Sequence, residues 1–133
     1  QSVNSFGGYK VQGKSKEDAK RIMKDAKAVE EAGAFLLVLE CVPAELASEI
    51  SNALKIPTIG IGAGNGCDGQ VLVYQDMLGM FSDFKPKFVR QFANVGEVMK
   101  QAFADYIKAT KDGSFPQAEH SYSTPDEKID KLY

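Results

Sequence analysis

The stretch AFLLVLECVPAEL, residues 34 to 46, sets five apolar residues, Phe35 to Leu39, directly before a carboxylate, a cysteine and a proline. A short unbroken apolar run reads as a strand buried on both faces. Pro43 fits the first turn of a helix, where a missing N–H costs nothing. Glu40 stands at the junction between the two. An ionised carboxylate is costly to remove from water unless it is paired or hydrogen-bonded. Two readings of Glu40 are therefore open: a solvated acid favoured by the dipole of the following helix, or a partly desolvated base suited to accepting a proton from a carbon acid.

Upstream of this stretch, residues 1 to 14 carry Gly7, Gly8 and Gly13 among polar and aromatic residues, which predicts a long loop. Ser15 has the character of an N-cap, with Asp18 three residues later in capping-box position. Ala19, Ile22, Met23, Ala26 and Val29 follow at helical spacing until Gly33, the expected stop. Downstream, Leu46, Ala47, Ile50, Ala53 and Leu54 form the stripe of a second helix, and IPTIGIGA, residues 56 to 63, reads as a second strand. Helix, strand, helix, strand is the α/β rhythm, which implies parallel strands joined by right-handed crossovers, with helices over both faces.

Beyond the turn-rich GNGCDG, residues Val71 to Tyr74 predict a third strand passing into a short helix near Asp76 to Leu78. From Pro86, the positions of Phe88, Val89 and Phe92 predict one helix. Val98, Met99, Ala102, Phe103, Tyr106 and Ile107 predict another, with Gly96 as the break and Gly113 as the stop. The aromatics Phe88, Phe92, Phe103 and Tyr106 are assigned to the core, and Lys85, Lys87 and Arg90 to a solvated helix start. Residues 1 to 122 are read as one unit and 123 to 133 as a polar tail.

The composition, 44% hydrophobic and 26% charged with a formal net charge of −2, is that of a globular domain. It offers no electrostatic reason to expect nucleic acid or an anionic membrane as partner. Every apolar run is far short of the ~20 residues that span a bilayer. The two cysteines, Cys41 and Cys67, and the single histidine, His120, are too few for a four-ligand zinc framework, and free thiols fit a reducing cytoplasm. The sequence opens at Gln1, without methionine and on a loop, as though mid-fold.

In parallel α/β architectures, ligands bind beyond the carboxyl ends of the strands. Glu40 ends the first strand there. Gly62, Ala63 and Gly64 end the second, where missing side chains would let a substrate approach the backbone. Asp76 lies just past the third. Gly64, Gly66 and Gly69 spell G-x-G-x-x-G, but the residues that follow read as extended, whereas a dinucleotide fingerprint needs a helix there. A turn is the better reading. Cys41 with His120 as its base is conceivable as a thiol nucleophile. A cysteine at a strand end is more often a small packed residue.

Four segments together, SVNSFGGYKVQGK, LLVLECVPAELA, IPTIGIGAGNGCDGQVLVYQDMLG and FPQAEHSY, resemble the C-terminal half of the ketopantoate hydroxymethyltransferase family, in its order and spacing. The resemblance runs from Gln1 to about Tyr122. It implies half of a (β/α)₈ TIM barrel of the phosphoenolpyruvate/pyruvate type, in a cytoplasmic homo-oligomer that is usually a decamer. It also implies transfer of a one-carbon unit from methylenetetrahydrofolate to 2-oxoisovalerate, giving ketopantoate for pantothenate and coenzyme A synthesis. The family's catalytic proton acceptor, the glutamate of its LECVP motif, falls on Glu40. Its Mg2+ ligands and keto-acid contacts belong to the N-terminal half, so the resemblance assigns no metal ligand to this chain. Two expectations follow from it. The chain is a piece of an enzyme, inactive alone and completed by an N-terminal half; or, alternatively, it is a non-catalytic half-barrel serving assembly. The Gly7–Gly8 loop, residues 5 to 13, is a candidate lid.

Overall fold

The computed structural model describes residues 11–80 and 85–123. The expected glycine-rich opening loop and its lid role, apart from residues 11 to 14, lie outside the described residues, as does the tail beyond Ser123.

Helix α1, Lys16–Glu31, begins where its cap predicts: the Asp18 N–H donates to Ser15 Oγ at 3.0 Å. Glu17 and Asp18 put negative charge in the first turn, where the helix dipole favours it. Just past its end, Gly33 takes a left-handed φ of 93°, which a residue with a Cβ adopts only with strain. Strand β1, Leu37–Glu40, follows, then α2, Ala44–Ala53, entered through Pro43. Strand β2 is Thr58–Ile61, and β3 is the two-residue Gly69–Gln70. Helix α3 is the single turn Tyr74–Met77, and α4 runs Val95–Asp112. A 3-10 turn, Ala118–His120, closes the described part.

The sheet order is β1-β2-β3, and both pairings are parallel, as the α/β rhythm implies. In register, Leu37 pairs with Thr58, Leu39 with Gly60 and Glu40 with Ile61. One face of this sheet is covered. Leu39 packs there with Ala26 of α1 and with Leu46, Ala47 and Ile50 of α2, the last two at 0% exposure. Burying side chains of this size supplies most of the driving force for such an arrangement.

Five sequence expectations need correction. The strand at 35 to 39 is shifted to Leu37–Glu40 and is not buried on both faces: Phe35 is 87% exposed and Val38 51%. Helices of this chain cover the Leu37/Leu39 side, and among the described residues β1 lies at the sheet edge. The third strand is Gly69–Gln70, before Val71, because the pairing ends where the Val71 N–H donates to Gly60 O at 3.0 Å. No helix forms between Pro86 and Phe92. Val89 makes only a turn back to Pro86 O, while the Phe92 N–H donates to Met77 O at 2.8 Å, tying the segment to α3. Gly96, expected to separate two helices, is instead buried in the first turn of α4, where an added Cβ would lie 2.8 Å from Gly79 O.

The aromatics meant for the core are divided. Phe88 is half-buried against Gly62, but Phe92, Phe103 and Tyr106 are exposed at 63%, 61% and 57%. At the far end of α4, Gly113 takes the expected left-handed stop, with φ 78°.

Candidate active site

Successive residues of a strand point to opposite faces. With Leu37 and Leu39 on the helix-covered side, Val38 and Glu40 stand on the other, together with their register partners Ile59 and Ile61. Glu40 is thus the last residue of β1, exposed, on the open face, at the carboxyl end of two parallel strands.

Immediately after it the chain turns through Cys41 with φ 53°, the one left-handed non-glycine residue among the described residues. Two backbone hydrogen bonds hold that turn. The Cys41 N–H donates to Ile61 O at 2.9 Å, and the Cys41 carbonyl accepts from the Gln12 N–H at 3.2 Å. Next to Gln12, Gly13 is buried beneath the turn, where a Cβ would lie 2.7 Å from Leu46 Cδ2. Burial pushes the Cys41 thiol up, and the neighbouring Glu40 charge adds to this, so the nucleophilic thiolate is disfavoured.

The second strand ends in two left-handed glycines, Gly62 with φ 65° and Gly64 with φ 75°. The space their side chains would fill is taken by the protein itself. A Cβ on Gly62 would meet Phe88 Cδ1 at 2.8 Å, and one on Gly64 would collide with Ala44 of α2. Gln70 Nε2 donates to Gly64 O at 2.9 Å and fixes this loop from β3. Asp76, expected near the strand ends, is half-buried in α3. After Gly69 the chain is extended rather than helical, so Gly64, Gly66 and Gly69 do not open a helix as a dinucleotide fingerprint would.

His120 is engaged elsewhere. Its Nδ1 accepts from the Gln117 N–H at 3.2 Å, and its ring sits 5.1 Å from that of Phe115, which meets Tyr106 edge-on at 5.7 Å. Among the described residues no hydrogen bond joins it to Cys41, and the thiol–imidazole pair is not formed. Lys85, Lys87 and Arg90 are exposed as expected but start no helix; the Arg90 guanidinium lies 5.0 Å over the Phe92 ring. A cavity of 330 Å³ lies between the end of α3 and the first turn of α4, lined by residues such as Gly79, Lys85, Asn94 and Lys100, and Glu40 has no part in it.

A polar network at the opposite end of β2 has no local sequence signal. Thr58 is fully buried, and both its N–H (2.8 Å) and its Oγ1 (3.0 Å) bond Asp68 Oδ2. Ser51 Oγ shares a 2.6 Å hydrogen bond with the same hydroxyl. The Thr58 backbone bond, then its side-chain bond, holds the Asp68 carboxyl below the usual carboxylate range. On the same side, Glu30 Oε1 accepts the N–H groups of Lys55, at 2.5 Å, and Ile56, at 3.0 Å, clamping the end of α1 to the entry of β2. These contacts bear on stability at the amino ends of the strands.

Among the described residues no three His, Cys, Asp or Glu side chains converge to hold a metal ion, and no helix is long and apolar enough to cross a membrane.

Residues 1–118 match the family model described as ketopantoate hydroxymethyltransferase. The chain is 62% identical over 133 residues to the 3-methyl-2-oxobutanoate hydroxymethyltransferase of Clostridium novyi (strain NT). It is 63% identical to that of Enterococcus faecalis (strain ATCC 700802 / V583) and 57% to that of Clostridioides difficile (strain 630). In each case the match covers 100% of this chain and 48% of the relative, so the chain spans about half the length of the curated relatives it matches.

Proposed function

The chain belongs to the ketopantoate hydroxymethyltransferase family, and from that membership we propose that it is the base-bearing half of an enzyme that hydroxymethylates 3-methyl-2-oxobutanoate. The observation that carries the reading is the position of Glu40, on the open face at the carboxyl ends of two parallel strands and one residue across from Gly62. Ligand sites of parallel α/β folds lie at that end.

In this reading Glu40 accepts the proton from C3, the carbon beside the keto group. Water releases the one-carbon unit of methylenetetrahydrofolate as formaldehyde, leaving tetrahydrofolate. The carbanion attacks the formaldehyde carbon, forming the new C–C bond, and the alkoxide takes back the proton held by Glu40 to give ketopantoate. A short strand end gives the carboxylate a firm mounting, and a base within hydrogen-bond reach of a carbon acid contributes on the order of 10²–10⁴-fold. Gly62 and Gly64, expected to let the substrate approach the backbone, are packed against Phe88 and Ala44 instead, so no contact with the keto acid is assigned to them.

A Mg2+ ion, which the family resemblance implies, has no fitting ligand set among the described residues, and no step here is assigned to it. Among the described residues β1 has no partner on its outer edge, with Phe35 and Val38 exposed beside it, which supports completion of a (β/α)₈ barrel by a further N-terminal half. The exposed apolar side of α4 supports packing of several such chains into a homo-oligomer, a decamer by resemblance, and a cytoplasmic location rests on the resemblance alone.

The test is Glu40→Gln in the complete enzyme. Loss of solvent exchange at C3 of the keto acid, followed by proton NMR, is expected with little change in thermal stability. Normal exchange together with a small stability change would leave Glu40 as a helix-entry acid and nothing more.

A further inference from the structure

We infer that Cys41 is a positioning residue: its left-handed backbone, rather than its thiol, sets the direction in which Glu40 presents its carboxylate. This rests on the reading of Glu40 as the base.

The left-handed region is costly for a residue with a Cβ, and such residues persist only where the surroundings over-determine them. Cys41 meets that condition, with φ 53° held from both sides. Its N–H is tied to Ile61 O, the register partner of Glu40, so the end of β1 cannot twist away from β2. Its carbonyl is tied to the Gln12 N–H, and Gly13 follows with φ 76°, passing below Leu46 and Pro43 where no side chain fits. The turn therefore joins three segments: the end of β1, the end of β2 and the loop before α1. Were Cys41 to relax into the extended region, β1 would run on past Glu40, and the Gln12 bond would be lost. The thiol contributes little of its own, since burial and the Glu40 charge both disfavour its ionised form.

The chemical demand of the position is thus conformational. Glycine, which adopts left-handed φ freely, and asparagine, which adopts it more readily than other residues, meet that demand without sulfur. Alanine meets it with strain, and valine, being β-branched, meets it worst.

The experiment replaces Cys41 in the complete enzyme by Gly, Asn, Ala and Val, with Glu40→Gln in parallel. It reads C3 proton exchange, KM for the keto acid and thermal stability. Exchange rates are expected to order Gly and Asn above Ala, and Ala above Val, with Val down on the order of tenfold to a hundredfold because a small misplacement of the base suffices for that. KM should move far less than kcat. If Val is too unstable to assay, the order of Gly and Asn above Ala decides alone. Gly, Asn and Ala all falling well below Cys would assign the role to the thiol, and Gly and Asn no better than Ala would show that the backbone conformation does not matter; either result overturns the inference. If Glu40→Gln exchanges normally, the reading of the base fails instead, which separates the two failures.

Discussion

Helix α2 and helix α4 carry apolar stripes of equal regularity, yet they meet opposite fates. Along α2, Ala47 and Ile50 are at 0% exposure and Leu46 at 8%, pressed against Leu39 of the sheet. Along α4, Val98 is 68% exposed, Phe103 61%, Tyr106 57% and Ile107 50%. The spacing of apolar residues determines which of them share a face. Whether that face is dry depends on what is laid over it, and for α2 the sheet of the same chain does this. The two helices look alike as sequence because the 3.6-residue period records an intention to bury, with no record of the partner.

The largest expected effect tests this contrast directly. Ile50→Ala should cost about 2–5 kcal/mol in urea unfolding of the chain, the range for emptying a packed aliphatic site, while Phe103→Ala should stay within about 0.5 kcal/mol. Equal losses for the two would break the comparison. Next comes Thr58→Val, which keeps the shape but removes the hydroxyl shared by Ser51 and Asp68; a loss of about 1–3 kcal/mol is expected from the bonds left unmade. The same substitution at Thr110 of α4, whose hydroxyl donates only to carbonyls of its own helix, should be nearly neutral.

The smallest effect is one of pH. The Asp68 carboxyl is held below its unfolded value by its bonds to Thr58, so the stability it contributes is present above about pH 4 and fades as pH falls through the depressed folded value. Asp112, at the end of α4, is lowered in the same sense by Ser114, but a single residue separates that pair. Acid titration of urea midpoints should therefore flatten in Asp68→Asn and scarcely change in Asp112→Asn, because the first carboxylate joins the β2–β3 loop to the sheet and the second bonds only within its own turn.

Much of the framework was legible residue by residue. Ser15 caps α1, Gly33 and Gly113 end their helices in left-handed conformations, and the order helix, strand, helix, strand from α1 to β2, with parallel pairing, is as read. These are local effects, carried by one or two side chains. The failures have a common cause. Phe88, Val89 and Phe92 have helical spacing, but Phe88 is drawn against Gly62 and Phe92 is tied to Met77, contacts between segments far apart in sequence. Thr58 and Asp68 are ten residues apart and carry no shared motif. At the site, the placement of Glu40 at a strand end could be read from the abrupt change from apolar to acidic. The left-handed turn at Cys41 could not, because nothing in the residue type announces it.

The pairing of Glu40 with Ile61 has one more consequence. Sliding β1 by a single position against β2 would exchange its two sets of side chains, swinging the acid under α1 and α2 and lifting Leu39 into the open. A charge forced among aliphatic groups without a counterion is penalised heavily, so every odd-numbered misalignment is ruled out while the chain is still assembling. The residue proposed for proton transfer would thereby also penalise strand misalignment, and a neutral isoleucine in its place would remove that penalty.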